Sequence, residues 1–374
     1  MLKIVADSKI PFLRGALENH ARVEYFHGSE IGPQHVKDAD ALIVRTRTRC
    51  NEKLLSGSSV KYIATATIGF DHIDAEYCSA NGISWSNAPG CNSGSVLQYI
   101  ASSLAHITSV SGRDFGQLSL GIVGVGHVGK KVEKLARLLG MKVLLNDPPR
   151  ERNEGSAAFT NLGRLLEESD IITMHVPLNR EGDDRTFHLA GEDFFDAFIP
   201  QGWFINTSRG EVMDTDILVR SLQSGHLSGS IIDVWENEPC IDPQLLSLAE
   251  ISTPHIAGYS LDGKANGTAW SVRAISRFFG LGLDRWYPEN IPVPVNGMIN
   301  IEKDYQGVDN LLRRLFFHCY NIRDDSSRLK AAPGNFELFR DNYPPRREYG
   351  AFRLNFENPG DPVIKRLKDI GFKT

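Results

Sequence analysis

Three observations predict an α/β protein with a doubly wound parallel sheet, a smaller parallel α/β domain ahead of it, and a small α+β module at the C-terminus. Apolar runs of strand length alternate with helix-period stretches from the first residues to about residue 258. A glycine-rich strand-to-helix turn, Leu118-Ser-Leu-Gly-Ile-Val-Gly-Val-Gly-His-Val-Gly129, opens the larger of two alternating blocks. Beyond Pro294 the patterning thins to a helix over 308–320, an alternating strand over 351–356 and a closing helix over 362–370.

The chain opens Met1-Leu-Lys-Ile-Val-Ala-Asp7, which reads as a strand and not as a secretory leader. A helix is expected near residues 12–20, and further strands at 41–44, 61–65 and 83–85. This first block has no glycine fingerprint and is therefore the candidate substrate domain, expected to face the cofactor. Within it, Thr65-Ala-Thr-Ile-Gly-Phe-Asp71 leaves a strand through a turn. Consecutive N–H groups there, centred on Thr67 and Gly69, can form an anion nest, although an ordinary strand-to-helix turn has the same pattern. Asn87-Ala-Pro-Gly90 signals a turn, and Ser93 or Gly94 then opens a helix with Val96, Leu97, Ile100, Ala101, Leu104 and Ile107 on one stripe, expected to join the two domains.

Leu120, Ile122 and Val123 read as a buried strand that stops at Gly124, where the chain turns sharply. Gly126 lets the backbone approach a pyrophosphate, and Gly129 lets the next helix, expected over 130–140, pack close to the strand. The N–H groups of that helix's first turn would then face phosphates. A second strand over 142–147 ends in Asp147, whose carboxylate can accept hydrogen bonds from ribose hydroxyls and repels a 2′-phosphate. NAD is therefore the expected cofactor, with Arg150 close enough in sequence to qualify the preference. Strands at 171–176, 203–207, 230–235 and 250–253 bring the count to six, a Rossmann-type sheet. Their ends carry His175 to Pro177, Ser208 to Gly210, Glu236 to Pro239 and Pro254 to Gly258, where an open sheet places its ligand crevice.

Arg209, Glu238 and His255 stand at those strand ends with complementary chemistry. An arginine holds a carboxylate by a bidentate pair. A histidine takes a hydroxyl proton while hydride leaves the adjacent carbon, and a glutamate on its other ring nitrogen fixes the tautomer. The net charge of −5 gives no basic surface for nucleic acid, and no run is apolar enough to span a bilayer. The odd set Cys50, Cys78, Cys91, Cys240 and Cys319 has no C-x-x-C spacing, so neither a disulfide framework nor a metal site is suggested, and reduced thiols fit a cytoplasmic protein.

Asn206-Thr-Ser-Arg-Gly210, Asp233-Val-Trp-Glu-Asn-Glu-Pro239 and Thr253-Pro-His-Ile-Ala-Gly258, with the glycine motif, resemble the NAD-dependent D-2-hydroxyacid dehydrogenases. More narrowly, Ala64-Thr-Ala-Thr-Ile-Gly-Phe-Asp-His72, Ala88-Pro-Gly-Cys-Asn92, Asn146-Asp-Pro-Pro-Arg150 and His255-Ile-Ala-Gly-Tyr-Ser-Leu-Asp-Gly-Lys-Ala265 resemble the branch that oxidises 4-phospho-D-erythronate in pyridoxal phosphate biosynthesis. The resemblance implies that Arg209, Glu238 and His255 are catalytic, with His255 the proton-transfer group. It also implies that Gly124, Gly126, Val128, Gly129, Asp147, His175, Val176, Asp233 and Gly258 contact NAD, and that Thr46, Thr67 and Tyr259 contact a phosphorylated sugar acid. Thr46 stands where the branch often has serine, and Phe70 where it has a smaller residue. Residues 1–94 and 259–285 would form a flavodoxin-like substrate domain, 95–258 the NAD domain, and 286–374 a module that joins two copies into a homodimer. For the substrate phosphate, Arg45, Arg47 or Arg49 can supply cations, and Arg346 with Arg347 can reach across the dimer. The rival readings are a phosphoglycerate-type dehydrogenase and a non-catalytic protein that senses NAD.

Overall fold

The computed structural model describes residues 1–374, which form two compact units, Met1–Asn92 with Ser260–Pro292 and Ser93–Tyr259 with Val293–Thr374. In the first unit, β1 (Lys3–Asp7), β2 (Arg22–Phe26), β3 (Ala41–Val44), β4 (Tyr62–Thr65) and β5 (Ser84–Ser86) make a fully parallel sheet in the order β2-β1-β3-β4-β5. This is the flavodoxin-like order. One face packs on Val36, Leu54 and Cys78, and the other on Leu13, Leu17 and the helix Leu261–Phe279 through Val272 and Ile275.

Residues 12–20 are not a helix, contrary to the sequence pattern. Phe12 and Gly15 take positive φ angles of 62° and 87°, which a right-handed helix excludes. Leu13, Ala16 and Leu17 are buried all the same, so a chain of turns presents the stripe that resembled a helical face. The strand Arg22–Phe26 lies in a stretch where no strand was expected; it is an edge strand with no fully buried residue, which weakens its apolar signal.

The second unit holds β6 (Ser119–Val123), β7 (Lys142–Asn146), β8 (Ile171–Met174), β9 (Gly202–Asn206), β10 (Leu227–Ile232) and β11 (Ile251–Ser252). All neighbours are parallel, in the order β11-β10-β9-β8-β6-β7. Chain order reverses between β6 and β8, and such a switch point opens the crevice in which doubly wound sheets hold ligands. The helix that follows the glycine turn starts at His127, three residues before the sequence pattern placed it, and runs to Leu138. On the other side of the turn Ser93–Ser111 buries Val96, Ile100, Leu104 and Ile107.

The C-terminal residues counted in this unit contain β12 (Met298–Ile301) and β13 (Arg353–Phe356), a two-stranded parallel sheet where the sequence showed only the second strand. Leu311, Leu312, Leu315 and Phe316 of the helix Val308–Cys319, with Leu354 and Leu367, join the same core as the helices Ser93–Ser111 and His127–Leu138. The thin apolar content of the tail is thus completed within its own chain. No helix is long and apolar enough to cross a membrane.

Candidate active site

Gly124 follows β6 with φ of 90°, and a Cβ there would come within 2.7 Å of the His175 carbonyl carbon and 2.9 Å of Val176 Cγ1. Gly129 lies against the Gly124 carbonyl, so a side chain at 129 would push the helix off the strand. Gly126 is exposed, and a Cβ there would meet nothing within 4 Å. Because the first intrahelical bond runs from Lys130 N–H to Gly126 O, the N–H groups of His127, Val128 and Gly129 stand at the free end of the helix. Small residues, open space and free donors at a helix N-terminus are what a dinucleotide pyrophosphate requires.

Asp147 caps the helix Pro148–Glu154 and does not end a strand. Its Oδ1 accepts the Arg150 N–H at 3.0 Å and its Oδ2 the Val125 N–H at 2.8 Å, which locks the carboxylate beside the glycine turn. Arg150 is itself held by the Val125 carbonyl at 2.7 Å and by Glu154. The His175 side chain is half-buried, with Nε2 3.1 Å from Thr173 Oγ1 and Nδ1 3.3 Å from Thr207 Oγ1. Burial drives its pKa down to about 3, so the ring is neutral.

At the other strand ends, Glu238 Oε2 lies 2.8 Å from His255 Nδ1, and Glu238 Oε1 accepts the Trp235 N–H at 3.0 Å. Burial opposes ionisation of Glu238, but the bonds from His255 and Trp235 and the nearby Arg340 charge outweigh it and keep the carboxyl below its usual range. Arg209 donates from Nη1 to the Ser208 carbonyl at 2.7 Å. Arg209, Glu238 and His255 line one cavity of about 470 Å³, together with Arg180, Phe187, Glu236 and Asn237. Gly210 is wedged against the backbone of Trp235 and Glu236, so the Arg209 and Glu238 segments touch without an intervening side chain. Asp233 is buried and anchors the loop that carries His255: it accepts the Thr253 hydroxyl at 2.6 Å and the N–H groups of Ile256 and Ala257 at 2.8 and 2.9 Å. Gly258 lies in the turn closed by Tyr259 N–H on Ile256 O at 2.8 Å, and the Tyr259 ring stands edge-on to Tyr343.

In the first unit, Thr46 is exposed in the turn after β3, and Thr67 donates to the Gly69 carbonyl at 2.9 Å while sharing a 2.7 Å contact with Thr65. Phe70 is exposed and packs on Trp85. Arg45 pairs with the buried Asp7 at 3.0 Å.

One expectation is overturned. Arg346 is only 6 % exposed and donates to the Ala257 carbonyl of its own chain at 2.6 Å, so it is not a surface cation able to cross to a second subunit. Two prolines followed by two arginines give no sign of such burial. Arg180 lines the cavity with Glu238 and His255, and the charge of Arg340 bears on Glu238, although no sequence motif marks either arginine. Arg340 hydrogen-bonds Tyr259, a contact between residues far apart in the chain that no local pattern encodes.

The NAD-binding domain model of the D-isomer-specific 2-hydroxyacid dehydrogenases matches residues 100–257, and a domain of unknown function (DUF3410) matches residues 291–371. An erythronate-4-phosphate dehydrogenase of Bacteroides fragilis is 50% identical over 354 residues, 94% of this chain and 99% of the relative. The chain belongs to the erythronate-4-phosphate dehydrogenase family. Another member, from Porphyromonas gingivalis, is 42% identical over 370 residues, 99% of this chain and 100% of its own. Among solved structures, a D-lactate dehydrogenase from Aquifex aeolicus, complexed with NAD and lactic acid, aligns with a TM-score of 0.61 at 29% identity, covering 75% of this chain and 96% of that one. The D-lactate enzyme leaves a quarter of this chain unmatched, whereas the family relatives extend over nearly all of it. The family's NAD domain coincides with the six-stranded unit and its glycine turn.

Proposed function

We propose that this chain oxidises 4-phospho-D-erythronate at C2 to 2-oxo-3-hydroxy-4-phosphobutanoate with NAD, as a step in making pyridoxal phosphate. The observation that carries the reading is the 2.8 Å contact between Glu238 and His255 on a cavity shared with Arg209, in a chain so similar to enzymes of that name. Glu238 occupies Nδ1, so Nε2 of His255 is the nitrogen that receives the O2 proton, and the carboxylate stabilises the imidazolium that results. Arg209 holds the substrate carboxylate and favours the developing carbonyl. Bound NAD, whose pyrophosphate the Gly124–Gly129 turn and the Val128 N–H fit, supplies the hydride acceptor. Asp147 takes the ribose hydroxyls, and His175, Val176, Asp233 and Gly258 line the remaining cofactor contacts. Thr46, Thr67 and Tyr259 are the proposed substrate contacts, with Tyr259 tied to Arg340.

We further propose a cytoplasmic homodimer. Strand β12 pairs only with β13, and Met298 at its start, with Val293 and Val295 shortly before it in the chain, is exposed, an open edge with apolar side chains suited to a second copy. Sedimentation of the full chain at a single-subunit mass would overturn this.

The test of the activity is NADH formation, read by absorbance, with 4-phospho-D-erythronate and separately with 3-phospho-D-glycerate and D-lactate, adding a 2-oxo acid to recycle held NADH. A strong preference for the four-carbon phosphate is expected. Preference for another acid removes the substrate assignment, and NADH binding without turnover of any acid replaces the enzyme reading with that of a sensor.

A further inference from the structure

His255 has a backbone φ of 54°, a left-handed conformation that a non-glycine residue keeps only when its surroundings impose it. The loop around it is held from both sides of its peptide groups. On the N–H side, the Asp233 carboxylate accepts from Ile256 and Ala257, and the Asp233 carbonyl accepts the His255 N–H at 2.7 Å. On the carbonyl side, Arg346 Nη2 donates to Ala257 O at 2.6 Å and to Ile256 O at 3.2 Å. The peptide joining Ile256 and Ala257 thus bridges a buried carboxylate and a buried guanidinium, while the peptide before it is held by Asp233 alone and the one after it by Arg346.

Arg346 arrives from the C-terminal segment, and that segment has built a seat for it. Its guanidinium lies over the Tyr320 ring at 4.3 Å, and its Nη1 is 3.5 Å from the Tyr343 hydroxyl. Both tyrosine hydroxyls donate to Asp325 Oδ2, at 3.0 and 2.7 Å. A buried guanidinium is retained only where partners compensate its lost hydration, and here the partners include the carbonyls directly after His255.

We propose that Arg346 is a positioning residue for His255 of the same subunit, gripping the carbonyls of Ile256 and Ala257 so that the imidazole stays in line with Glu238. This gives the C-terminal segment a part in the chemistry that is separate from any role in self-association. The inference rests on the proposed role of His255. Displacing a reacting group by about 1 Å can cost roughly 10²-fold in rate, so a loosened loop affects turnover before it affects binding.

The experiment uses the full chain with Arg346→Lys, which keeps the charge but cannot serve both carbonyls in the same geometry, and with His255→Asn in parallel. Circular dichroism and NADH fluorescence report folding and cofactor affinity; kcat, KM and the pH profile of kcat report the loop. Arg346→Lys is expected to bind NADH within twofold of wild type and to lose at least tenfold in kcat, with KM little changed and the pH profile altered. Partial recovery of Arg346→Ala turnover by added guanidinium at non-denaturing concentration supports the same reading. Wild-type kcat and pH profile in folded Arg346→Lys overturn it. If that variant does not fold, Asp325→Asn, which loosens the tyrosine seat, takes its place, and wild-type turnover and profile there count equally against the clamp. An impaired His255→Asn beside a normal Arg346→Lys removes only this inference, whereas a fully active His255→Asn removes the proposed site itself.

Discussion

Replacing Gly210 with alanine perturbs the distance between the two strand-end segments that carry Arg209 and Glu238 while leaving both side chains in place. The added methyl would fall onto the Trp235 carbonyl group and the Glu236 nitrogen. These are backbone atoms, which cannot rotate aside as a side chain can, and such pairs rest about 3.5 Å apart. The segments must therefore separate by roughly 1 Å or more. Overpacking of this kind costs about 1–3 kcal/mol of stability, and a shift of that size between catalytic groups costs about 10²-fold in rate. The Gly124–Gly129 turn is on other strands and Asp233 is held separately by Thr253, Ile256 and Ala257, so NADH affinity is expected to fall much less than turnover. Stopped-flow turnover, NADH fluorescence titration and thermal unfolding on the same preparation separate the effects. If Gly210→Ala keeps kcat within threefold of wild type, the close contact between these segments is not what aligns the site.

His255→Asn is expected to lower turnover roughly 10²- to 10⁴-fold with NADH binding nearly unchanged, and wild-type turnover in a steady-state assay would sink its assignment. Asp147→Ala should weaken NAD and narrow its advantage over NADP, since the carboxylate that disfavours a 2′-phosphate is gone; titration with both cofactors decides it, and a wild-type enzyme preferring NADP would contradict the role of Asp147. The native pKa of His175, about 3, lies below its unfolded value near 6.5. As pH falls from 6.5 the unfolded chain gains a proton that the native chain refuses, so His175 lowers stability progressively towards pH 3, with a slope of at most about 1.4 kcal/mol per pH unit. His72 and His106, also lowered by burial, add slope of the same sign. Glu238, whose native pKa is depressed, contributes stability that is lost only at lower pH, as the pH drops through its native value. Between pH 6.5 and 5 the buried Asp233, whose pKa burial raises, works in the opposite sense, so the contribution of His175 is read by comparison in urea unfolding: His175→Gln should flatten the dependence, and an identical slope would mean that His175 titrates normally in the fold.

The glycine turn, its flanking strands and the residues at the strand ends were legible because their signals are local. Strand β6 stops where a positive φ is needed, and β8 to β11 are each followed by a polar residue, His175, Thr207, Asp233 and Thr253, on the same end of the sheet. Residues 12–20 misled because burial of Leu13, Ala16 and Leu17 at helical spacing does not require a helix, and Gly15 supplied a turn instead. Strand β12 leaves little apolar signal because its burial is slight: of Met298–Ile301 only Ile301 is buried. The environment of Arg346 was illegible in principle. Its partners at Ala257, Tyr320 and Tyr343 are brought together by the fold, so nothing near it in the sequence distinguishes a buried clamp from a solvated charge.

Both units are discontinuous in the chain, and this orders events during synthesis. The five-stranded sheet of the first unit can be made once residue 92 has left the ribosome, yet the helix Leu261–Phe279 that covers one of its faces is still to come. At roughly 5–20 residues per second the segment starting at residue 260 follows about 10–30 s later. The second unit waits longer still, because Leu354, Leu367 and Phe372 belong to the core begun by the helix Ser93–Ser111. A nascent chain of this protein therefore carries apolar sheet faces open to the solvent until these late segments have been made, and a truncation before Leu354 would strip those three side chains from the interior of the nucleotide unit.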